Sequence, residues 1–544
     1  MVAPLAVALA VKGSAAVVAA LAAGGALVLP SARARAASAL VALVLAPALL
    51  LGELWHSSQI VSLRHHPALA GAGVVAGLAV VLALAAVLRR RPWLLPLLAV
   101  FTLPFRIPFQ SGGQTANLLV PLYVVVAGGV VALLWQQLRP AAEAEGKGGW
   151  RERERGWTEI ALIGFVLLYA LQSLYSGDFE QALKNSAFFY VPFMLLLKLL
   201  TSVDWPPRVV TWSFGIATAL ALVFAAVGFV EYATKHIFLN QKLIESNQFE
   251  SYFRVNSLFF DPNIYGRFLA LVMIGLAAVL LWPRRPRDVG VSAAVLAILW
   301  AALILSFSQS SIAALLVGLG VLAALRFGLR PVLAVGAAVA VIGLVVVLAA
   351  PGLIHLNTKS SRSIDKATSG RIDLMRGGLR MFTDRPLFGF GSGAFSEQFR
   401  KREGTGRRQA ASASHTIPIT VAAEQGVPGL AAYAAVLVAS LGLMFTGLGG
   451  LRERAPPPRL VTRAYLAAAY AGLVLHTLLY AAFLEDPITW TLIAAAIVLG
   501  RDGAASASSG ASSSAAVSAG ASSSPLASSS PSASAATPRR SSSA

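Results

Sequence analysis

Cysteine is absent from this 544-residue chain, and charged residues are scarce. Without cysteine the protein has no disulfide framework, no thiolate nucleophile and no cysteine metal site. Only 12% of the residues are charged, about half of the roughly 25% that a soluble globular domain carries. Because 57% of the residues are hydrophobic, much of the chain is expected to lie away from water.

The chain contains several long apolar runs. Four clear runs, at 264–282, 332–350, 427–447 and 461–482, approach or exceed the roughly 20 residues that a helix needs to cross a bilayer. They do not alternate apolar and polar residues, so they predict helices and exclude the strands of a membrane barrel. A further predicted helical span is the apolar segment 115–137. We therefore predict an all-α, polytopic membrane helix bundle of about 12–15 spans, with a large, partly helical periplasmic loop.

Positive charge exceeds negative charge by +20. Nucleic-acid binding is one interpretation of such a value. The excess lies in loops between the apolar runs, however, where the topology of membrane proteins favours it, so we expect no nucleic-acid partner. Basic clusters at 89–91 and 284–287 mark cytoplasmic loops, which places the loops 231–263 and 351–415 on the outer side.

Four regions follow from this pattern. Residues 1–350 are predicted to hold transmembrane helices with short loops, 351–415 an extracytoplasmic loop, and 416–502 the C-terminal transmembrane helices. Residues 503–544 consist almost entirely of Ser, Ala, Gly and Pro. Such a segment cannot bury enough apolar surface to fold, so we predict a disordered cytoplasmic tail.

A polar segment precedes the apolar run at 264. Asp261-Pro262-Asn263 predicts a turn that begins a helix. Asp261 and Asn263 are interpreted either as helix caps at the membrane surface or as part of a site. Arg254 and Arg267 flank the turn. An arginine near a helix N-terminus is not placed to favour the helix dipole, so anion binding is a reasonable alternative.

The loop 351–415 is basic, with twelve Lys or Arg against five Asp or Glu. A helix capped by Ser369 or Gly370 is predicted to run to about Asp384, where Pro386 stops it. On that helix Arg371 falls within an apolar stripe, where a charge needs a partner or a ligand. The stripe consists of Ile372, Met375, Leu379 and Phe382. The opposite face, interpreted as solvated or salt-linked, carries Asp373, Arg376, Arg380 and Asp384. The glycines at 389, 391 and 393 follow no strand, so they predict a tight turn and no nucleotide fold.

His415 closes this loop immediately before a new apolar segment. Histidine titrates near neutrality and can take a proton from a hydroxyl, although a lone histidine is more often structural. Glu424 lies nine residues further on and is expected to enter the membrane. A buried acid there is a functional candidate, or it pairs with a nearby arginine. The sequence has no metal-ligand constellation and no P-loop, so we expect no metal and no cofactor.

Four segments together resemble the O-antigen ligase and O-antigen polymerase superfamily of bacterial membrane glycosyltransferases. The resemblance covers about residues 205–450 and depends on the order and spacing of the segments more than on any one motif. The segments are Phe259-Phe260-Asp261-Pro262-Asn263-Ile264-Tyr265-Gly266, Ser306-Phe307-Ser308-Gln309-Ser310-Ser311, Arg371 through Pro386 to Gly389 and Gly391, and His415-Thr416 followed by Glu424-Gln425-Gly426-Val427-Pro428-Gly429. Two positions depart from the family pattern. Gln309 stands where the family usually has Arg, and Thr416 stands where it usually has Asn.

The resemblance implies a mechanism. A glycan on undecaprenyl diphosphate would move to an acceptor hydroxyl on lipid A core, another glycan or a protein, at the outer face of the bacterial inner membrane. Arg254 and Arg371 would bind the diphosphate, since arginine is always charged and binds bidentately. His415 would be the catalytic base, and Arg267, Asn263, Gln309 and Glu424 would support the site. The loop 351–415 would then be the catalytic loop.

Three alternatives remain. A ligase and a repeat-unit polymerase share these motifs, so the sequence does not separate them. A lipid-linked glycan transporter would need polar residues inside the spans, for which Lys198, Glu424 and His476 are the candidates. A purely structural membrane scaffold is disfavoured by the position of Arg371.

Overall fold

A computed structural model describes residues 2–55, 60–61, 64–111, 114–137, 156–239, 253–349, 371–403, 416–453, 455–480 and 482–500. His415 and the predicted tail 503–544 lie outside the described residues, and so does the side chain of Arg371.

The described chain is almost entirely helical. Its first half contains α1 (Val2–Val28), α2 (Ala32–Leu54), α3 (Pro67–Arg90), α4 (Leu94–Thr102), β1 (Ile107–Ser111), β2 (Gln114–Leu118), α5 (Val120–Gln137), α6 (Trp157–Ser173), α7 (Phe179–Asn185), a π-helical turn (Ser186–Tyr190) and α8 (Val191–Thr201). The second half contains α9 (Pro207–Thr234), α10 (Pro262–Leu281), α11 (Pro286–Leu305), α12 (Gln309–Phe327), α13 (Leu329–Ala349), α14 (Arg371–Asp384), α15 (Phe395–Glu403), α16 (Ile417–Phe445), α17 (Pro458–Leu479) and α18 (Pro487–Gly500).

Ten helical segments of the described chain are long and apolar enough to cross a membrane. Shorter apolar helices at Trp157–Ser173, Leu329–Ile342 and Pro487–Gly500 accompany them. Together these segments fall in the predicted range. The prediction of an all-α, multi-pass membrane bundle is therefore confirmed.

Helix α10 lies at the centre of the second half, where it packs against α11, α12 and α17. Gly318 on α12 faces Ile274, and a methyl group added at Gly318 would collide with that side chain. Small residues let membrane helices approach closely in this way. The close packing brings the N-termini of α10 and α12 together, beside the C-terminal end of α17.

A two-stranded hairpin replaces the start of one predicted span. The apolar segment 115–137 was expected to be helical throughout, but β2 pairs antiparallel with β1, with Ile107 opposite Leu118, and the helix begins at Val120. Gln114, Thr115 and Asn117 make the start of this segment polar. These residues favour a pairing outside the membrane over a helix inside it.

Candidate functional site

The turn before α10 caps the helix as predicted, and Asp261 makes a second hydrogen bond to a distant residue. One carboxylate oxygen of Asp261 accepts the backbone N–H of Asn263 at 2.6 Å, which caps the helix. The other oxygen accepts the hydroxyl hydrogen of Tyr480 at 2.8 Å. Asp261 therefore joins the beginning of α10 to the end of α17.

Asn263 is held by a cluster of buried hydroxyls from the start of α12. Its side-chain oxygen accepts hydrogen bonds from Ser308 at 2.9 Å and Ser310 at 3.5 Å. Its backbone oxygen accepts a third, from Ser311 at 3.2 Å. Nε2 of His476, a fully buried residue of α17, lies 3.3 Å from the hydroxyls of both Ser310 and Ser311. The first two segments of the family resemblance thus meet in space, and they meet through Asn263.

The predicted site residues Arg254 and Gln309 adjoin this cluster. Nε of Arg254 donates to the backbone oxygen of Ser306 at 3.3 Å, so the arginine lies beside the segment 306–311. Gln309, the first residue of α12, is exposed. Its side chain is therefore directed away from the buried hydroxyls of its neighbours.

Arg267 has an internal partner. Its guanidinium forms an ion pair with Asp486, with 1% and 2% of the two side chains exposed. Nη1 also lies 3.5 Å from the backbone oxygen of Ala482. Nearby, burial lowers the pKa of Arg106. The negative charge of Asp486 opposes this shift, and the positive charge of Arg267 adds to it. A buried charge needs such a pair, so Arg267 stabilises the packing of α10 against the loop 480–486.

Helix α14 has the predicted bounds, but the buried face differs from the predicted stripe. Met375 is 39% exposed and Leu379 is 56% exposed, whereas Leu374 and Met381 are buried. The expected placement of the stripe was wrong because Gly377 and Gly378 decide the contact. They let α14 lie close against aromatic side chains of α15 and against α16. The backbone of Arg371 begins this helix.

The glycine-rich turn after α14 packs against a break in α16. Gly389, Gly391 and Gly393 all have positive φ, which confirms the predicted tight turn. At Gly426, α16 itself leaves helical geometry, with φ 66° and ψ −159°. The backbone N–H of Val427 is thereby free to donate to the oxygen of Pro386 at 2.8 Å.

Glu424 also links α16 to the glycine-rich turn. Its carboxylate accepts the backbone N–H groups of Gly393 at 2.8 Å and Phe395 at 3.0 Å, the latter at the start of α15. Its backbone oxygen accepts the N–H of Gly391 at 2.8 Å. Within the described part of the chain, its partners are backbone groups in the turn and at the beginning of α15, and no arginine side chain is among them. We infer that Glu424 positions the turn.

A cavity of about 300 Å³ lies beside this turn. It is lined by residues of α6, α7, the π-helical turn, α16 and the loop 480–485, and by Ile264 of α10. The wall is rich in hydroxyl and amide groups. Its polar side chains are Tyr169, Gln181, Asn185, Tyr190, Thr420, Glu424, Gln425, Tyr433, Tyr480 and Glu485. Burial raises the pKa of Glu485 to about 7.

Residues adjoining His415 reach this cavity. Thr416 precedes α16, and its hydroxyl donates to the backbone oxygen of Leu478 at 3.2 Å. Ile417 and Thr420 line the cavity. His415, although outside the described residues, therefore lies two positions before a cavity-lining residue.

Several residues of this region were not singled out from the sequence. Glu485 and Asp486 precede Pro487, and Asp486 caps α18 through the N–H of Ile488 at 3.0 Å, just as Asp261 caps α10. The repeated Asp-Pro pair was a usable signal for this second turn. Tyr433 and Arg106 gave no comparable signal, because tyrosine in a span and a single arginine before a strand are common.

Among the described residues, no group of three or more His, Cys, Asp or Glu is arranged to hold a metal ion. The polar atoms of the region are instead amide, hydroxyl and carboxylate groups around a cavity, with Arg254 beside the serine segment.

In a comparison with known protein families, residues 294–434 match the family described as O-antigen ligase. No curated protein matches the chain. The matched range begins within α11 and ends within α16, so it includes the serine segment 306–311, helix α14, the glycine turn and Glu424. Families of this kind are of the glycosyltransferase or ligase type. Residues 294–434 of this multi-pass membrane protein thus match the O-antigen ligase family, which supports the resemblance to the O-antigen ligase and polymerase superfamily.

Proposed function

We propose that the protein transfers a glycan from undecaprenyl diphosphate to an acceptor hydroxyl, at the outer face of the bacterial inner membrane, as an O-antigen ligase does. The observation that carries the proposal is the match of residues 294–434 to this family. The cavity supports it, because residues of α16 that closely follow His415 line its wall.

The proposed reaction is a single displacement at the anomeric carbon. The acceptor oxygen forms a bond to that carbon while the bond to the diphosphate oxygen breaks, and the diphosphate leaves with the electron pair. His415 takes the proton of the acceptor hydroxyl, a role that contributes about 10²–10⁴-fold in rate.

Arg254 and Arg371 bind the diphosphate as negative charge develops on it. A guanidinium suits this task because it stays protonated and donates two parallel hydrogen bonds to phosphate oxygens. Fixed cations at a leaving group supply the stabilisation that a metal ion supplies elsewhere. We therefore propose that transfer needs no metal and no nucleotide.

The acceptor separates two versions of this function. A ligase passes a finished glycan to lipid A core or another glycan or protein acceptor, whereas a polymerase joins repeat units. Both versions use the same chemistry at the same residues. In a transfer assay, the length of the product tells them apart.

The test is transfer by purified protein in detergent, with an undecaprenyl-diphosphate-linked glycan as donor and a membrane extract as acceptor source. We expect transfer in the presence of a chelator and without nucleotide. His415→Ala and Arg371→Ala should each lose at least about 100-fold in rate. Arg376→Ala, an exposed arginine on the same helix, is the matched control and should keep full activity.

Full activity in both test variants would remove His415 and Arg371 from the mechanism. Absence of transfer by the wild-type protein with every acceptor fraction would contradict the proposed function. Transport of the lipid-linked glycan, measured in proteoliposomes, would then become the leading alternative.

A further inference from the structure

The cavity of about 300 Å³ has the size and wall of a site for a small polar ligand. Ligand cavities in proteins range from about 300 to 1,000 Å³. This one is therefore suited to one or two rings and not to a long oligosaccharide. Its position next to the segment that follows His415 places a ligand ring near the proposed transfer chemistry.

One wall presents aromatic rings with an ordered polar network. The rings of Tyr169 and Tyr190 meet edge to face at 4.6 Å. Nδ2 of Asn185 donates to the Tyr169 hydroxyl at 2.8 Å, and Nε2 of Gln181 donates to Oδ1 of Asn185 at 2.9 Å. Such a wall offers apolar ring faces beside fixed hydrogen-bonding groups. This is the combination that matches a pyranose, whose C–H face is apolar and whose rim is hydroxylated.

Two other lining residues each carry a buried polar atom that lacks a hydrogen-bond partner among the described residues. They are the hydroxyl of Tyr433 and the side-chain oxygen of Gln425, in residues that are 2% and 1% exposed. Buried polar groups are nearly always paired, and leaving one unpaired is costly. A sugar hydroxyl can satisfy both, since it accepts from the tyrosine and donates to the amide oxygen.

Among the described residues, every Asp, Glu, Lys or Arg side chain that lines the cavity is acidic. Glu485 lines it and is half-buried. Glu424 lines the same cavity. Within the described part of the chain, no lysine, arginine or histidine lines this cavity. A carboxylate on a ligand would add a further negative charge, whereas a hydroxyl or an ammonium group would bind Glu485.

We propose that this cavity binds one sugar ring of the glycan substrates and that Glu485 makes it select a neutral or amino sugar over an acidic one. The inference rests on the proposed function for the identity of the glycan. It adds the specificity-determining residues, Glu485, Gln425 and Tyr433.

The test compares three matched glycans in the transfer assay, whose ring nearest the scissile or forming bond is glucose, glucosamine or glucuronic acid. One arm varies this ring in the donor and the other varies it in the acceptor, so the arm that responds tells which substrate the cavity binds. For wild type we expect kcat/KM for the acidic ring to be at least about tenfold lower than for the other two in one arm. Equal use of all three rings in both arms would overturn the proposal.

Two variants test whether residues of the cavity cause this selectivity between sugar rings. Glu485→Gln keeps the shape and removes the charge, so it should reduce the discrimination against the acidic ring by about tenfold. Tyr433→Phe removes one hydroxyl and should raise KM for the preferred ring several-fold while leaving kcat nearly unchanged. Tyr465→Phe is the matched control, because Tyr465 lines a different cavity, between α9, α10 and α17. Unaltered discrimination in Glu485→Gln contradicts the proposal while the proposed function stands.

A binding measurement that requires no transfer tests the cavity proposal separately from the proposed function. We expect millimolar methyl glucosaminide, but not methyl glucuronide, to give saturation-transfer NMR signals with purified wild type and weaker signals with Tyr433→Phe. Binding of this kind by a protein that transfers nothing would support the cavity and contradict the proposed function. Signals that are the same for both glycosides and both proteins would contradict the cavity.

Discussion

Glu424 on α16 accepts the backbone N–H of Phe395 at 3.0 Å, and this hydrogen bond links a membrane helix to the start of α15 in the large loop. The same carboxylate accepts the N–H of Gly393 at 2.8 Å. Because both oxygens of the side chain accept at the beginning of α15, the contact satisfies two backbone donors. The turn that follows α14 is thereby fixed against the wall of the cavity.

We expect Glu424→Ala to destabilise the fold by about 1–3 kcal/mol, since it leaves two buried N–H groups without an acceptor. Glu424→Gln should cost less, because its amide oxygen still accepts one of them. Denaturant titration of the purified protein in detergent measures both.

Glu397→Gln is the control for this prediction. Glu397 pairs with Arg400 and Lys401 on the surface of α15, and such pairs contribute only about 0.2–1 kcal/mol. If Glu424→Ala is as stable as Glu397→Gln, the positioning role of Glu424 is wrong.

The ion pair of Arg267 with Asp486 predicts a strongly non-additive result. Arg267→Met and Asp486→Leu should each destabilise the protein by about 3–5 kcal/mol, because each leaves a buried charge unpaired. The double variant should recover most of the loss. A double-mutant cycle from unfolding titrations measures the coupling. Additive losses would show that the two side chains act independently, contrary to the structure.

Truncation of Asn263 should have a large effect, and truncation of Gln309 should have a small one. Asn263→Ala removes the acceptor that binds Ser308 and Ser310, so we expect a loss of about 1–3 kcal/mol in stability and a fall in transfer rate. Gln309 is exposed, so Gln309→Ala should change stability by less than about 0.5 kcal/mol. The pair is compared by unfolding and by initial rates. A larger effect at Gln309 would mean that it contacts substrate directly.

Glu485 predicts a pH dependence of stability. Burial raises its pKa in the fold from 4.5 to about 7. Between these values the unfolded chain loses the proton first, so stability falls as pH rises through this window and then levels off. Glu424, Tyr169 and Tyr190 are the titratable groups that interact with it.

Glu485→Gln should remove this slope. The variant should gain stability relative to wild type between about pH 5 and pH 7, by an amount on the order of 1–3 kcal/mol. Unfolding titrations at several pH values in that window measure the difference. Parallel curves for the two proteins would show that Glu485 is not buried in the cavity.

The amino-acid sequence by itself determined the helical membrane bundle, because long apolar runs have few alternatives in a bilayer. It also determined the cap at Asp261, the bounds of α14 and the glycine turn, since each depends on residues adjacent in the chain. The order of its polar segments was enough to indicate the family.

Only the tertiary structure decided which of those segments meet. Asn263, Ser310 and His476 lie on three helices, and their hydrogen bonds depend on the close packing of α10 that Gly318 permits. The buried face of α14 depended on the position of its glycines against α15 and α16, which periodicity does not encode. The partner of Arg267 and the unpaired groups at Tyr433 and Gln425 likewise follow from contacts between distant parts of the chain, and no local pattern specifies those contacts.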